Sequence, residues 1–198
     1  MKKAILIVLA LLLAALLLTA CSRAPQLHQR EAFVFGTRVE VSVWGESADK
    51  AAQALAAVLA EFDRLHRLLH AWQPSELTTL NEAIARGEGN IAVSAELTFL
   101  LKDAADIAAR SDQLFNPAIG RLVALWGFHS DEFRPQLPDM AAVEAVAKAR
   151  PSMSDLTITD NSVSSRNRAV QLDLGDYAKG YALDRAAALL KGMGVNNA

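Results

Sequence analysis

The chain has 198 residues, 52% of them hydrophobic and 21% charged, with a formal net charge of −2 at pH 7. Its 20 lysines and arginines do not exceed its 22 acidic residues, so it lacks the basic surplus of a nucleic-acid-binding protein. A single cysteine excludes an internal disulfide framework, and no repeat or low-complexity segment follows the apolar start.

The chain begins MKKAILIVLALLLAALLLTAC. Two lysines, an apolar run from Ala4 to Leu18 and small residues before Cys21 have the layout of a secretory signal. The run is short for a membrane span of roughly 20 residues, although an uncleaved anchor helix is the alternative. The ending LTAC resembles the lipobox of bacterial lipoproteins. That resemblance implies cleavage before Cys21, acylation of Cys21 and attachment to a membrane surface. Residues 1–20 are then a signal peptide, and residues 21–32, polar and containing Pro25, a lipidated tether. Loss of the signal removes two lysines, shifts the charge to −4 and leaves 178 residues, enough for one domain with a core.

In FVFGTRVEVSVWG the alternation of Val39, Val41 and Val43 predicts a half-buried strand. Ser47 is placed to cap a long amphipathic helix from Ala48 to Leu69, with Leu55, Val58, Leu59, Phe62, Leu65 and Leu69 on one face. His66 and His70 on this helix have the i,i+4 spacing of a metal pair. The zinc-protease pattern needs a glutamate after the first histidine, and Arg67 stands there, so solvated or edge histidines are expected. A loop, a short helix over 75–85 and a second loop follow, then a helix capped by Ser94. The stretch after it is mostly irregular, with an apolar turn from Ile119 to Trp126; Asp139 is placed to cap a helix from Met140 to about Lys148. Two or three short strands separated by turns at Asp160-Asn161 and Arg166-Asn167 lead to Val170, Leu172 and Leu174, read as a strand running into a helix near Ala178. This order gives an α+β, or mixed α/β, domain.

Two stretches carry candidate chemistry. In LDLGDYAKG, Asp173 ends the strand, Gly175 permits a turn and Lys179 is expected in the first helical turn, either as an anion site or as a plain connection with a surface lysine. In LFNPAIGRLVALWGF, Trp126 and Phe128 bracket Gly127, either to stack on a planar ligand or as core. GMGVNN near the end follows a helix rather than a strand, so Gly192 and Gly194 read as a helix cap and turn, not a dinucleotide loop.

Together these stretches resemble the ApbE family of FAD:protein FMN transferases. FVFGTRVEVSVWG is similar to the family's opening strand, with Phe35-Gly36-Thr37 for methionine-glycine-threonine. HAWQPSELTTLN is similar to its tyrosine loop leading into S-E-hydrophobic-x-x-L-N. FNPAIGRLVALWGF is similar to D-P-T-V-G-P-L-V-N-L-W-G-F, and LDLGDYAKGYALD to D-L-G-G-I-A-K-G-Y-A-V-D. The resemblance implies an ApbE-like fold and a magnesium-dependent enzyme. It would move FMN from FAD to a threonine of a target flavoprotein through a phosphoester bond and release AMP. The alternatives are a periplasmic FAD-binding lipoprotein, or a magnesium-dependent FAD pyrophosphatase without protein transfer. The implied partners are flavoprotein subunits of membrane electron-transfer complexes, and the implied location is the periplasmic side of a bacterial membrane, lipid-anchored.

Carried over by position, the resemblance implies FAD contacts from Phe35, Trp72 (for the tyrosine, with a one-residue gap), Leu114, Phe115, Asn116, Asp173 and Lys179. Asp176, the candidate metal residue, occupies a position where the family offers magnesium a backbone carbonyl from a small residue; its side chain either adds a ligand or points to solvent. Asn116 and Ala118 replace the family's usual aspartate and threonine. The family's proteins are longer, with their main magnesium ligands in a second half. Residues 33–198 are therefore expected to be the N-terminal part of the transferase domain, with those ligands beyond residue 198 and the chain alone incomplete for catalysis.

Overall fold

The computed structural model describes residues 24–130, 132 and 137–198, so the expected signal peptide and Cys21 lie outside the described residues. The elements in chain order are β1 (Leu27–Val34), β2 (Thr37–Trp44), α1 (Ala48–Leu68), α2 (Glu76–Arg86), β3 (Ile91–Ala92), α3 (Ala95–Arg110), α4 (Gly120–Leu125), α5 (Met140–Ala149), β4 (Leu156–Ile158), β5 (Ser162–Ser165) and α6 (Gly175–Gly192). A 3-10 turn at Met153–Asp155 precedes β4. The expected α+β composition holds.

The single opening strand of the sequence reading is a hairpin. β1 and β2 pair antiparallel from Leu27↔Trp44 to Val34↔Thr37. A two-residue turn, Phe35-Gly36, joins them with φ 54° and 68°, the left-handed geometry that matches strand twist in tight hairpins. β1 thus begins inside the segment read as tether. Its alternation is weak because most of its residues face solvent, and pairing with β2 orders it. A second sheet has the order β3-β5-β4, all antiparallel.

The caps read from sequence are in place. Ser47 accepts from Lys50 N–H at 3.3 Å, Ser94 from Leu97 N–H at 3.1 Å and Asp139 from Ala141 N–H at 2.9 Å. Ser75 forms a reciprocal box with Thr78, each backbone N–H donating to the other's hydroxyl at 2.9 Å.

Residues 170–174 do not form a ladder strand, and α6 starts at Gly175, three residues earlier than expected. This extended segment makes one parallel bridge, Ile119↔Gln171, and is otherwise held piecewise. Gln171 N–H donates to Ala118 O at 3.2 Å, Asp173 N–H to Pro117 O at 2.8 Å and Gly120 N–H to Gln171 O at 2.7 Å. On the other side the buried Asn81 amide takes both backbone groups of Leu172, donating to its carbonyl at 2.8 Å and accepting from its N–H at 2.6 Å. Leu172 and Leu174 alternate inward as expected, but a side chain and a loop supply the pairing that neighbouring strands would have supplied.

Two apolar clusters form the interior. One joins α2, α3, Val163 and the 170–174 segment; the other packs the hairpin on α1 and α6 through Val34, Val43, Leu55, Phe62, Ala182 and Leu190. Phe35, Leu68 and Tyr181 pack against both. After α6 the chain turns at Gly194 (φ 69°) and runs beside β2, where Asn197 O accepts from Trp44 N–H at 2.9 Å.

Candidate functional site

A cavity of about 540 Å³ opens where the hairpin turn, the end of α1 and the start of α6 meet. Phe33, Phe35, His66, His70, Trp72 and Phe128 line it with rings, and Asp173, Gly175 and Ala178 line it from the start of α6. Its size falls in the roughly 300–1,000 Å³ range of small-molecule sites.

Each wall has a local cause. His66 lies in the last turn of α1, but the helix ends at Leu68, so His70 follows its C-cap Leu69 rather than sharing the helix; the two ring centroids are still 4.8 Å apart. His66 Nδ1 accepts from Phe35 N–H at 3.3 Å, which ties the hairpin turn to the helix and leaves Nε2 as the protonated nitrogen of the neutral ring. His70 Nδ1 accepts from Gln73 N–H at 3.1 Å, while Ser75 Oγ donates to His70 O at 2.7 Å. These bonds close the loop that presents Trp72. The rings then form one continuous series. Phe62, Phe35 and His66 meet edge to face, His70 and Trp72 lie 4.5 Å apart at 77°, and Trp72 stacks on His129 at 5.2 Å and 22°. Such a wall suits a planar aromatic ligand.

Asp173 is the polar centre. Its Oδ1 accepts from Gly175 N–H at 2.9 Å and its Oδ2 lies 2.8 Å from His129 Nε2. Burial pushes its carboxyl up, but the His129 and Gly175 bonds, with the charges of His129 and Lys179, outweigh that and hold it below the usual carboxylate range. An ionised carboxylate only accepts, so Asp173 offers its remaining lone pairs to donors on a ligand.

Of the sequence-selected residues, Phe35, Trp72 and Asp173 converge on this cavity. Leu114, Phe115 and Asn116 are not in its lining. Leu114 is 91% exposed, Phe115 packs against the α2–α3 core, and Asn116 braces a turn, accepting from Ala118 N–H at 3.1 Å and donating to Pro151 O at 2.9 Å. Asn116 and Pro117 act indirectly, through the Pro117 carbonyl that holds Asp173 N–H. Lys179 lies in the second turn of α6, not the first. Its ammonium donates to Gly175 O at 2.9 Å and sits 3.7 Å from Asp176.

Asp176 has a fully exposed side chain. Among the described residues no group of three or more His, Cys, Asp or Glu side chains gathers to hold a metal ion, and the Asp176 carboxylate points to solvent beside Lys179. His66 and His70, expected at a solvated edge, instead line the cavity, and Phe128 does so while Trp126 does not. His129 and Phe33 escaped sequence reasoning. Phe33 belongs to a strand hidden by weak alternation, and His129 follows the last residue of the W-G-F motif.

Residues 35–198 match the ApbE family model. An FAD:protein FMN transferase of Rhodobacter capsulatus is 45% identical over 166 residues, covering 84% of this chain and 32% of that protein. One from Salmonella typhimurium is 29% identical over 196 residues, covering 93% and 55%. The ApbE protein of Thermotoga maritima superposes with a TM-score of 0.73 at 27% identity, covering 85% of this chain and 53% of its own. The flavin transferase ApbE of Vibrio cholerae shares the fold, with a TM-score of 0.73 at 20% identity. The chain thus spans about a third of the first relative's length and about half of the second's. With the four motifs in order, the matching fold and a family match over residues 35–198, this chain belongs to the ApbE family.

Proposed function

We propose that this chain forms the flavin-binding part of an FAD:protein FMN transferase. The observation that carries the reading is the convergence of Phe35, Trp72 and Asp173 on one aromatic-walled cavity at the start of α6. The ring series would hold the isoalloxazine, exclude water from it and leave Asp173 to accept from a donor on the nucleotide. In the transfer, a threonine hydroxyl of the target forms a bond to the FMN phosphorus, the pyrophosphate bond breaks, and AMP leaves with the bridging oxygen while the hydroxyl proton passes to a base. The proposed transferase is magnesium-dependent, as the family resemblance implies. The proposed target is a flavoprotein subunit of a membrane electron-transfer complex. The proposed location is the periplasmic face of a membrane, with lipid on Cys21; among the described residues no helix is long and apolar enough to cross a membrane.

The test is incubation of the full-length protein with FAD, magnesium and a target subunit bearing an acceptor threonine. A mass gain on the target equal to one FMN, with AMP released, is the expected result. AMP without that gain identifies a pyrophosphatase, and bound FAD with no AMP identifies a binding protein.

A further inference from the structure

We propose that His129 is a positioning residue that fixes the Asp173 carboxylate as an oriented acceptor and braces Trp72 against it. The inference rests on the flavin-site reading and deepens it.

His129 is reached through α4. That helix is only six residues long, yet both its ends are anchored to the Asp173 segment. At its start Gly120 N–H donates to Gln171 O at 2.7 Å; a Cβ on Gly120 would lie 2.7 Å from the same oxygen, so only glycine allows this approach. At its end Phe128 N–H bonds back to Val123 O at 3.1 Å, and Gly127 adopts φ 83°. That turn returns the chain to Asp173, with the His129 side chain only 7% exposed and Nε2 2.8 Å from Oδ2.

The donor assignment follows from Asp173. Its Oδ1 accepts a backbone N–H, and an ionised carboxylate has no proton to give, so His129 must donate from Nε2. Each carboxylate oxygen is then pinned by one donor, which fixes the plane of the group and leaves one lone-pair direction per oxygen for a ligand. The same imidazole lies flat on Trp72, so one ring sets both the polar and the aromatic contact of the site.

The experiment is FAD binding by the full-length protein, followed by flavin fluorescence, for wild type, His129→Phe, His129→Gln, Asp173→Asn and the His129→Phe/Asp173→Asn pair. His129→Phe keeps a ring but loses the donor, and its Kd should rise about tenfold, the scale of one hydrogen bond to a charged group. His129→Gln restores an N–H at similar reach and should lose only about threefold. In the Asp173→Asn background the His129→Phe effect should largely disappear, because the partner it positions is gone. Unchanged affinity in His129→Phe, or the same loss in the Asp173→Asn background, overturns the inference while leaving the flavin site intact. A wild-type protein that does not bind FAD overturns both. Should His129→Phe not fold, histidine-selective ¹⁵N NMR of wild type decides. An exchange-protected proton on Nε2 supports the assignment, and an unprotonated Nε2 sinks it.

Discussion

Asn81 and Gly120 do at single positions what a neighbouring strand does in a regular sheet. The Asn81 amide is 7% exposed and satisfies the N–H and C=O of fully buried Leu172. Asn81→Ala leaves both groups unpaired, each costing about 1–3 kcal/mol, so a fall in unfolding free energy of more than about 2 kcal/mol is expected in urea denaturation. Gly120→Ala meets backbone rather than a flexible side chain, since Gln171 O lies 2.7 Å from the added Cβ. The forced shift should cost about 1–3 kcal/mol and move Asp173 with it, weakening FAD binding as well as stability. The two variants separate by that second readout if Asn81→Ala retains its cavity. Phe35 is a residue whose role the sequence could not show in full. Its backbone is left-handed, an uncommon state for a bulky residue, and in that state its N–H reaches His66 while its ring meets Phe62 and His66.

At the scale of elements, α1, α3 and α6 are tied by an ionic cluster on the side of the hairpin core. Arg64 bonds Glu61 and Glu96 at 2.7–3.0 Å, Arg185 reaches Glu61 at 2.9 Å, and Tyr181 donates to Glu96 at 3.2 Å. The Arg64 bond, helped by Arg185 and working against burial, lowers the Glu61 carboxyl from 4.5 to about 2. Because the folded value lies below the unfolded one, the unfolded chain takes up more protons in acid. The stabilisation is therefore present above about pH 4.5 and is lost as the pH falls towards about 2. Urea midpoints for wild type should drop through that window, and Glu61→Gln should flatten the drop; a parallel decline in both would remove Glu61 as its source. α6 has no side-chain cap and starts three residues before the expected position, whereas α1 and α3 were legible because caps and apolar spacing are local signals. β1 was not, because an exposed strand carries little alternation and exists through its partner, β2.

Across the whole molecule, the cavity lies where two cores meet rather than inside either, with Phe35 packing on both. A ligand there bridges the hairpin turn, the α1–α2 loop and the start of α6, so binding should report on global stability. FAD at about 100 times its Kd should stabilise the protein by roughly 2.7 kcal/mol, seen as a higher Tm, and Trp72→Ala should reduce that shift. An unchanged Tm with saturating FAD would count against the flavin-site reading.

By itself the sequence determined the long capped helices α1 and α3, the α+β class and the family resemblance, because periodicity and short motifs are written in neighbouring residues. It also marked Phe35, Trp72 and Asp173, since each sits in such a motif. Only the tertiary structure decided which marked residues share a cavity. It kept those three and left Leu114, Phe115 and Asn116 outside its lining. It also brought in His66 from α1 and His70 from just past its end, and it set His129, from the turn after α4, against Trp72 and Asp173. Residues 129 and 173 are 44 positions apart, and their contact depends on a glycine that lets α4 touch backbone and on a left-handed turn that brings the chain back. Long-range closure of that kind leaves no periodic trace in sequence, so the motifs named the residues and the packing assembled the site.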